Sequence, residues 1–165
     1  MNPTTAIIAL GSNLGDSHRI IETAFDRLQK FSAQPIRRSS LWRSSPVDCP
    51  HGSPDFLNAV AAITPRRDET PDSLLSKLQS LELEFGRKPK ATMNEPRPLD
   101  LDLITFGTET RSTTQLTLPH PRACLRRFVL APLNEIAPRL VIPAQTKTVA
   151  ELLDLLATDE LVERC

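Results

Sequence analysis

The sequence predicts an α+β fold with a ferredoxin-like βαββαβ core and C-terminal additions. Three observations carry that prediction. There is a continuous apolar run near the start, there are two amphipathic stretches with helix-start signals, and strand-like segments fall one before, two between and one after those stretches. The first strand is Ala6-Ile7-Ile8-Ala9-Leu10, apolar throughout as a central strand requires, and ended by Gly11. Asp16 can cap the helix that follows, whose buried stripe is Ile20, Ile21, Ala24, Phe25 and Leu28. A second strand is expected in 36–45, around Leu41 and Trp42, and a third at 56–63. Thr70-Pro71 starts the second helix, with Thr as N-cap and Pro at the first position. Leu74, Leu78, Leu81 and Phe85 give it a core face, and Gly86 ends it. A strand over 100–106 and a short one near 115–118 follow. The tail adds helical pieces at 125–136 and 148–157, the latter carrying Leu152, Leu153, Leu155 and Leu156.

At 165 residues the chain suits a single domain, 1–165, with a sizeable core. Basic and acidic residues number 20 each, so the formal net charge is zero and nothing global attracts nucleic acid or an anionic membrane. Any basic site is therefore local. Cys49, Cys124 and Cys165 are odd in number and share no metal-ligand spacing, which fits reduced thiols better than a disulfide framework. The start Met1-Asn2-Pro3-Thr4-Thr5 lacks a signal peptide's basic and apolar regions, and no stretch approaches the length of a membrane span. A soluble cytoplasmic protein is expected. Thirteen of the fifteen prolines gather in 46–54, 65–71, 89–98 and 119–143 and mark long ordered loops, which in compact domains are functional or mobile.

The most informative stretch is Arg97-Pro98-Leu99-Asp100-Leu101-Asp102-Leu103-Ile104-Thr105-Phe106-Gly107. At period two, Leu99, Leu101 and Leu103 take one face of a strand, and Asp100 and Asp102 the other. Two carboxylates on one rigid face repel unless a cation lies between them. Mg²⁺ suits such a pair because it takes one or two carboxylates and fills its other positions with water and phosphate oxygens. Arg97 adds a phosphate-binding fork. Together these point to phosphoryl-type transfer from a nucleotide, while a solvated sheet face accounts for the Asp pair taken alone.

Five further features stand beside it. Gln79 and Glu82 are spaced i, i+3 beside the apolar stripe of the second helix, as a ligand pair or a solvated face. The loop 87–97 holds Arg87, Lys88, Lys90 and Arg97, either a lid for a triphosphate or a solvated charge run. His120 is set between Pro119 and Pro121 and followed by Arg122, Arg126 and Arg127, so it is either a stiffly placed phosphate donor or structural. Phe56 and Asn58 share a strand face, and Phe128 lies far along the chain; an aromatic and an amide together can stack and read a flat heterocycle, although core packing explains any single Phe. Gly11-Ser12-Asn13-Leu14-Gly15 has the look of a phosphate loop but lacks the Lys and Ser/Thr of a P-loop, and reads as a turn with close backbone approach.

Taken together these segments resemble the 6-hydroxymethyl-7,8-dihydropterin pyrophosphokinase family of folate biosynthesis, over about residues 5–140. The resemblance rests on Ala9-Leu10-Gly11-Ser12-Asn13-Leu14-Gly15, Pro54-Asp55-Phe56-Leu57-Asn58-Ala59, Glu82 to Arg87, Arg97 to Gly107, and Leu118-Pro119-His120 through Pro138. The Pro-Arg-x-x-Asp-Leu-Asp core at 96–102 is the family's signature. It implies a three-layer αβα sandwich around an antiparallel sheet, and transfer of pyrophosphate as one unit from ATP to the pterin hydroxymethyl group, releasing AMP. By the same resemblance, Asp100 and Asp102 would hold two Mg²⁺ ions, and Arg87, Arg97, His120 and Arg126 would surround the phosphates. Gln79, Glu82, Leu103, Thr117 and His120 would bind ATP. Phe56 and Phe128 would sandwich the pterin, Asn58 would bond its edge, and backbone groups of Ser44, Ser45 and Val47 would complete its pocket. The implied partners are the two small substrates, with no nucleic acid, no membrane and a monomeric state. Many members read Arg-Trp-Gly-Pro-Arg where this chain has Met93-Asn94-Glu95-Pro96-Arg97; Pro89 replaces a loop Arg, and Pro121 an aromatic. Those departures keep one alternative in view, a catalytically silent module that binds nucleotide and pterin.

Overall fold

Alternation along three long strands builds the molecule. The computed structural model describes residues 4–46, 51–88, 96–158 and 160–165. In chain order the elements are β1 (Ala6–Ser12), α1 (Ser17–Gln29), β2 (Arg37–Arg38), β3 (Trp42–Ser44), β4 (Phe56–Ile63), α2 (Pro71–Glu84), β5 (Asp100–Phe106), β6 (Arg111–Ser112), β7 (Thr117–Leu118), α3 (Arg127–Ile136), α4 (Val149–Leu155) and β8 (Val162–Arg164), with a 3₁₀ turn at Ala123–Leu125. The main sheet runs β5-β1-β4-β3-β8, with β2 also paired to β4. Every pairing in it is antiparallel. Apart from β8, the order is that of the ferredoxin-like core, as the sequence predicts.

Successive residues of a strand point to opposite faces, so each central strand serves two cores. Ile8, Leu10, Ala61, Leu101 and Leu103 pack toward Phe25, Leu28, Leu74 and Leu78 of α1 and α2. Ile7, Val60 and Ile104 pack instead toward Val129, Leu130 and Leu133 of α3, with Val149 of α4. Helices thus cover both faces, giving the three-layer αβα sandwich. Asp16 caps α1, its side chain accepting from Arg19 N. Thr70 caps α2 in a reciprocal box with Ser73, and Pro71 takes the first position. Thr70→Ala removes the acceptor for Ser73 N and is expected to cost about 1 kcal/mol. A drop in urea midpoint at unchanged slope checks this.

Four local features differ from the sequence reading. The expected strand over 36–45 is broken into β2 and β3: three residues, Ser39 to Leu41, stand opposite two on β4, a bulge. There the Ser39 hydroxyl takes the ladder bond from Val60 N at 2.9 Å. Glu135 of α3 draws Ser40 outward, accepting from its Oγ at 2.6 Å and from Trp42 Nε1 at 3.0 Å. A second bulge at Ile104, where Ile7 and Ile8 face Thr105 and Leu103, turns Phe106 back to the α1–α2 core. The helix expected from 125 begins at Arg127 after the 3₁₀ turn. Finally β6 and β8 were not foreseen; each forms from two or three residues recruited by a partner strand. Among the described residues no helix is long and apolar enough to cross a membrane.

Candidate functional site

The site lies on the α3 side of the sheet, at the end where β1 finishes and β4 and β5 begin. Register places it there: Gly11 faces Asp100 on one side and Asn58 on the other, and Ala9 faces Asp102. The middle of the floor is therefore made by Ala9 and Gly11, small residues that leave room above the sheet. A Cβ on Gly11 would meet the Phe56 ring at 3.6 Å and Asn58 Oδ1 at 3.7 Å. α3 starts only at Arg127, so this end of the face is not filled by apolar side chains. The result is a cavity of about 890 Å³.

One wall is charged. Arg87 Nη1 donates to Asp100 Oδ1 at 2.6 Å and to Glu82 Oε2 at 2.7 Å. The same Glu82 oxygen accepts from Leu101 N at 2.8 Å, so it satisfies the free edge of β5 while holding the arginine. Arg97 Nη1 stands 3.8 Å from Asp100 Oδ1, and its Nε is buried without a hydrogen-bond partner among the described residues. A buried, unpartnered guanidinium N–H on a residue that lines a cavity is a donor awaiting an acceptor. The Arg97 backbone is fixed from the first loop: its N–H donates to Asn13 Oδ1 at 2.9 Å, and Asn13 N returns a bond to its carbonyl at 3.1 Å. Asn13 Nδ2 also donates to the Pro54 carbonyl at 3.3 Å. The glycine-containing loop is thus a bracket between two walls.

Burial and the neighbouring Asp100 push Asp102 up to about 7, against the pull of Arg126, Arg97 and Arg87. Burial likewise raises Glu82 to about 7, opposed by Leu101 N–H and Arg87. His120 is pushed below its ordinary value by burial and by Arg126. Its Nδ1 accepts from Arg122 N at 3.2 Å, so the neutral ring carries its proton on Nε2. Its own backbone N–H is held by the Ile104 carbonyl at 2.9 Å.

The opposite wall is aromatic and amide. Phe56 and Phe128 both line the cavity. Each already touches an arginine: Arg97 Cζ lies 5.8 Å from the Phe56 centroid, and Arg126 Cζ 5.4 Å from that of Phe128. Asn58 Nδ2 donates to Ser44 Oγ at 2.8 Å and to the Trp42 carbonyl at 3.3 Å, which fixes the orientation of the amide.

Of the residues singled out in the sequence, Arg87, Arg97, Asp100, Asp102, His120, Arg126, Ser44, Ser45, Phe56, Asn58 and Phe128 meet in this one cavity. Glu82 stands behind its wall. Gln79 and Thr117 are exposed on α2 and β7, and the Leu103 side chain is buried in the α1–α2 core; none of the three lines the cavity. Val47 lies outside the described residues, as do Pro89, Lys90, Met93, Asn94 and Glu95. Sequence reasoning missed Asn13 as a bracket and Leu125, Thr158 and Glu160 as wall residues. Asn13 sat in a loop already noted, but nothing in the tail's pattern marks Glu160.

The model of the family 7,8-dihydro-6-hydroxymethylpterin-pyrophosphokinase matches residues 7–138. The 2-amino-4-hydroxy-6-hydroxymethyldihydropteridine pyrophosphokinase of Haemophilus influenzae is 36% identical over 160 residues, covering 96% of this chain and 97% of that one. The protein of the same name from Bacillus subtilis is 39% identical over 132 residues, covering 79% and 77%. A crystal structure of a Plasmodium falciparum HPPK-DHPS triple mutant superposes with a TM-score of 0.73 at 14% identity. That match covers 93% of this chain, which spans only 43% of the larger protein, and it speaks for the fold.

Proposed function

Because this chain belongs to the 7,8-dihydro-6-hydroxymethylpterin-pyrophosphokinase family, its activity is pyrophosphoryl transfer from ATP to hydroxymethyldihydropterin in folate biosynthesis, and we propose that the cavity at the open end of the sheet carries that transfer out. The observation that carries this reading is the unpartnered Arg97 Nε, buried beside a carboxylate pair on one side and an aromatic wall on the other. Among the described residues, four arginines, Arg87, Arg97, Arg122 and Arg126, line the cavity against three carboxylates. In a chain of zero net charge this is the local basic site that a polyphosphate needs.

Asp100 and Asp102 fit a hard divalent cation. Burial and the neighbouring Asp100 disfavour ionisation of Asp102, and among the described residues there is no group of three or more acidic, His or Cys side chains that could hold a metal ion. Two carboxylates suit Mg²⁺, with water and phosphate oxygens completing its shell. When bound, two Mg²⁺ ions supply charge neutralisation on the transferring group and alignment for an in-line displacement. In that displacement the pterin hydroxymethyl oxygen attacks the β-phosphorus of ATP and releases its proton to solvent, the bond from that phosphorus to the oxygen bridging the α-phosphate breaks, and AMP leaves.

The chain's own residues orient the partners. Phe56 and Phe128 hold the pterin ring, and Asn58, with its amide fixed by Ser44 and Trp42, takes the ring's edge. Backbone groups of Ser44 and Ser45 complete that pocket. Because Arg97 and Arg126 each contact one of the rings, the heterocycle and the polyphosphate adjoin, which is the proximity the transfer requires. His120 offers Nε2–H to a phosphate oxygen. The adenosine end is assigned along the β5 edge, flanked by Gln79 and Glu82 of α2 and by Thr117 of β7. There the Leu103 backbone faces outward, as Leu101 N–H does. The reading takes residues 1–165 as one catalytic domain, monomeric and cytoplasmic, acting on two small molecules.

The test is AMP formation from ATP with and without 6-hydroxymethyl-7,8-dihydropterin, in Mg²⁺ and after EDTA. AMP that requires both pterin and Mg²⁺ is expected, with activity lost in EDTA and restored by added Mg²⁺. Binding of both ligands without AMP would make the chain a silent module.

A further inference from the structure

The family match ends at residue 138, yet the C-terminal segment returns to the cavity, where Thr158 and Glu160 form part of the wall. α3 has no side-chain cap of its own, because its N-cap residue is Arg126, which has no side-chain acceptor. Two N–H groups of its first turn donate instead to Glu160. Arg127 N reaches Oε2 and Phe128 N reaches Oε1, each at 3.1 Å. One carboxylate thus satisfies two orphan donors, with the charge sign that a helix N-terminus favours. Just beyond it, the Leu161 carbonyl accepts from Ser45 N at 3.2 Å. Val162 then pairs with Ser44, and Ser44 with Phe56. The tail therefore links the two aromatic walls of the cavity, Phe56 through the strands and Phe128 through Glu160.

From this juxtaposition we infer that Glu160 is a positioning residue for the pterin side of the reaction, an inference that rests on the transfer reading of the cavity. Its two hydrogen bonds set where α3 begins, and so set the spacing of Phe128 from Phe56, while the Arg126 N–H is held separately by the Ala123 carbonyl at 3.4 Å. The ATP-side groups are held by other means: Arg87 by Glu82 and Asp100, and Arg97 by Asn13. Loss of Glu160 therefore loosens one substrate's site and leaves the other's.

The experiment uses the full chain with Mg²⁺ and compares Glu160→Ala, Glu160→Gln and Thr148→Ala. Thr148→Ala removes the cap of α4, which holds no cavity residue, and so controls for a general loss of helix stability. Two readouts are taken: KM for each substrate from AMP formation, and direct pterin binding by its fluorescence with a non-transferable ATP analogue present. Glu160→Ala is expected to raise the pterin KM about tenfold, the value of a lost pair of charge-assisted bonds, at unchanged ATP KM. Glu160→Gln, which keeps one acceptor oxygen, falls between, and Thr148→Ala stays at wild type. Equal pterin effects from Thr148→Ala and Glu160→Ala, a joint rise of both KM values, or no change in Glu160→Ala would each overturn the inference. If the wild type forms no AMP while Glu160→Ala still weakens pterin binding, the transfer reading fails and the positioning role stands.

Discussion

Asp102→Asn is expected to lower kcat by about 10³-fold or more, the scale at which an electrostatic group aimed at a transferring phosphoryl centre contributes. The same substitution is expected to stabilise the metal-free protein at alkaline pH. Burial and Asp100 raise the native pKa of Asp102 from 3.8 to about 7. Between those values the folded chain binds more protons than the unfolded one, so this group's contribution to stability falls as pH rises through the window. Above it, the folded state carries the full cost of a buried, repelled carboxylate, which an amide of the same shape removes. Melting temperatures of the EDTA-treated wild type and variant should therefore converge near pH 4 and separate at pH 8, with the variant higher. Saturating Mg²⁺ should stabilise the wild type more than the variant. Turnover near the wild-type rate would sink the assignment of Asp102 to the metal.

Arg87→Ala carries the second large effect, and it falls on activity and stability together. Arg87 is the common partner of Asp100 and Glu82, at 2.6 and 2.7 Å. The side chains of the three are 12 to 26% exposed. Removing it leaves Glu82 and Asp100 without their shared cation, with Arg97 still 3.8 Å from Asp100. A fully buried pair would cost several kcal/mol, and at this partial exposure about 2 kcal/mol is expected. Losing a phosphate donor is expected to lower kcat/KM for ATP by about 10²-fold. Adding Glu82→Gln separates the two effects. It removes one of the stranded charges and should recover part of the stability, measured by urea unfolding, while kcat/KM stays low. Recovery of activity by the double variant would mean that Arg87 serves the fold alone.

How far the primary structure reveals this site depends on the range of the interaction involved. The helix starts at Asp16 and Thr70, the apolar stripes of α1 and α2, and the two-faced β5 with Asp100 and Asp102 on one side are all legible, because each is a local rule with a period of two or 3.6 residues. The gathering of Arg87, Arg97, His120 and Arg126 is legible only as motifs in sequence order. What brings them to one cavity is register, with Asp100 beside Gly11 and Gly11 beside Asn58. Gln79 and Thr117 belong to segments that flank the site, and their side chains are exposed outside the cavity.

By itself the sequence determined the βαββαβ order of the core, the caps of α1 and α2, the carboxylate pair and the residue types of the chemistry, since those follow from steric and hydrogen-bonding preferences within a few neighbouring residues. Only the tertiary structure decided the bulges at Ile104 and at Ser39 to Leu41, the bracket from Asn13 to Arg97, and the use of Glu160 as the cap of a helix that begins 33 residues earlier. Each of these satisfies a backbone group with a partner distant in the chain. Such a partner is selected by the packing of sheet and helices, and it leaves no periodic trace among its sequence neighbours.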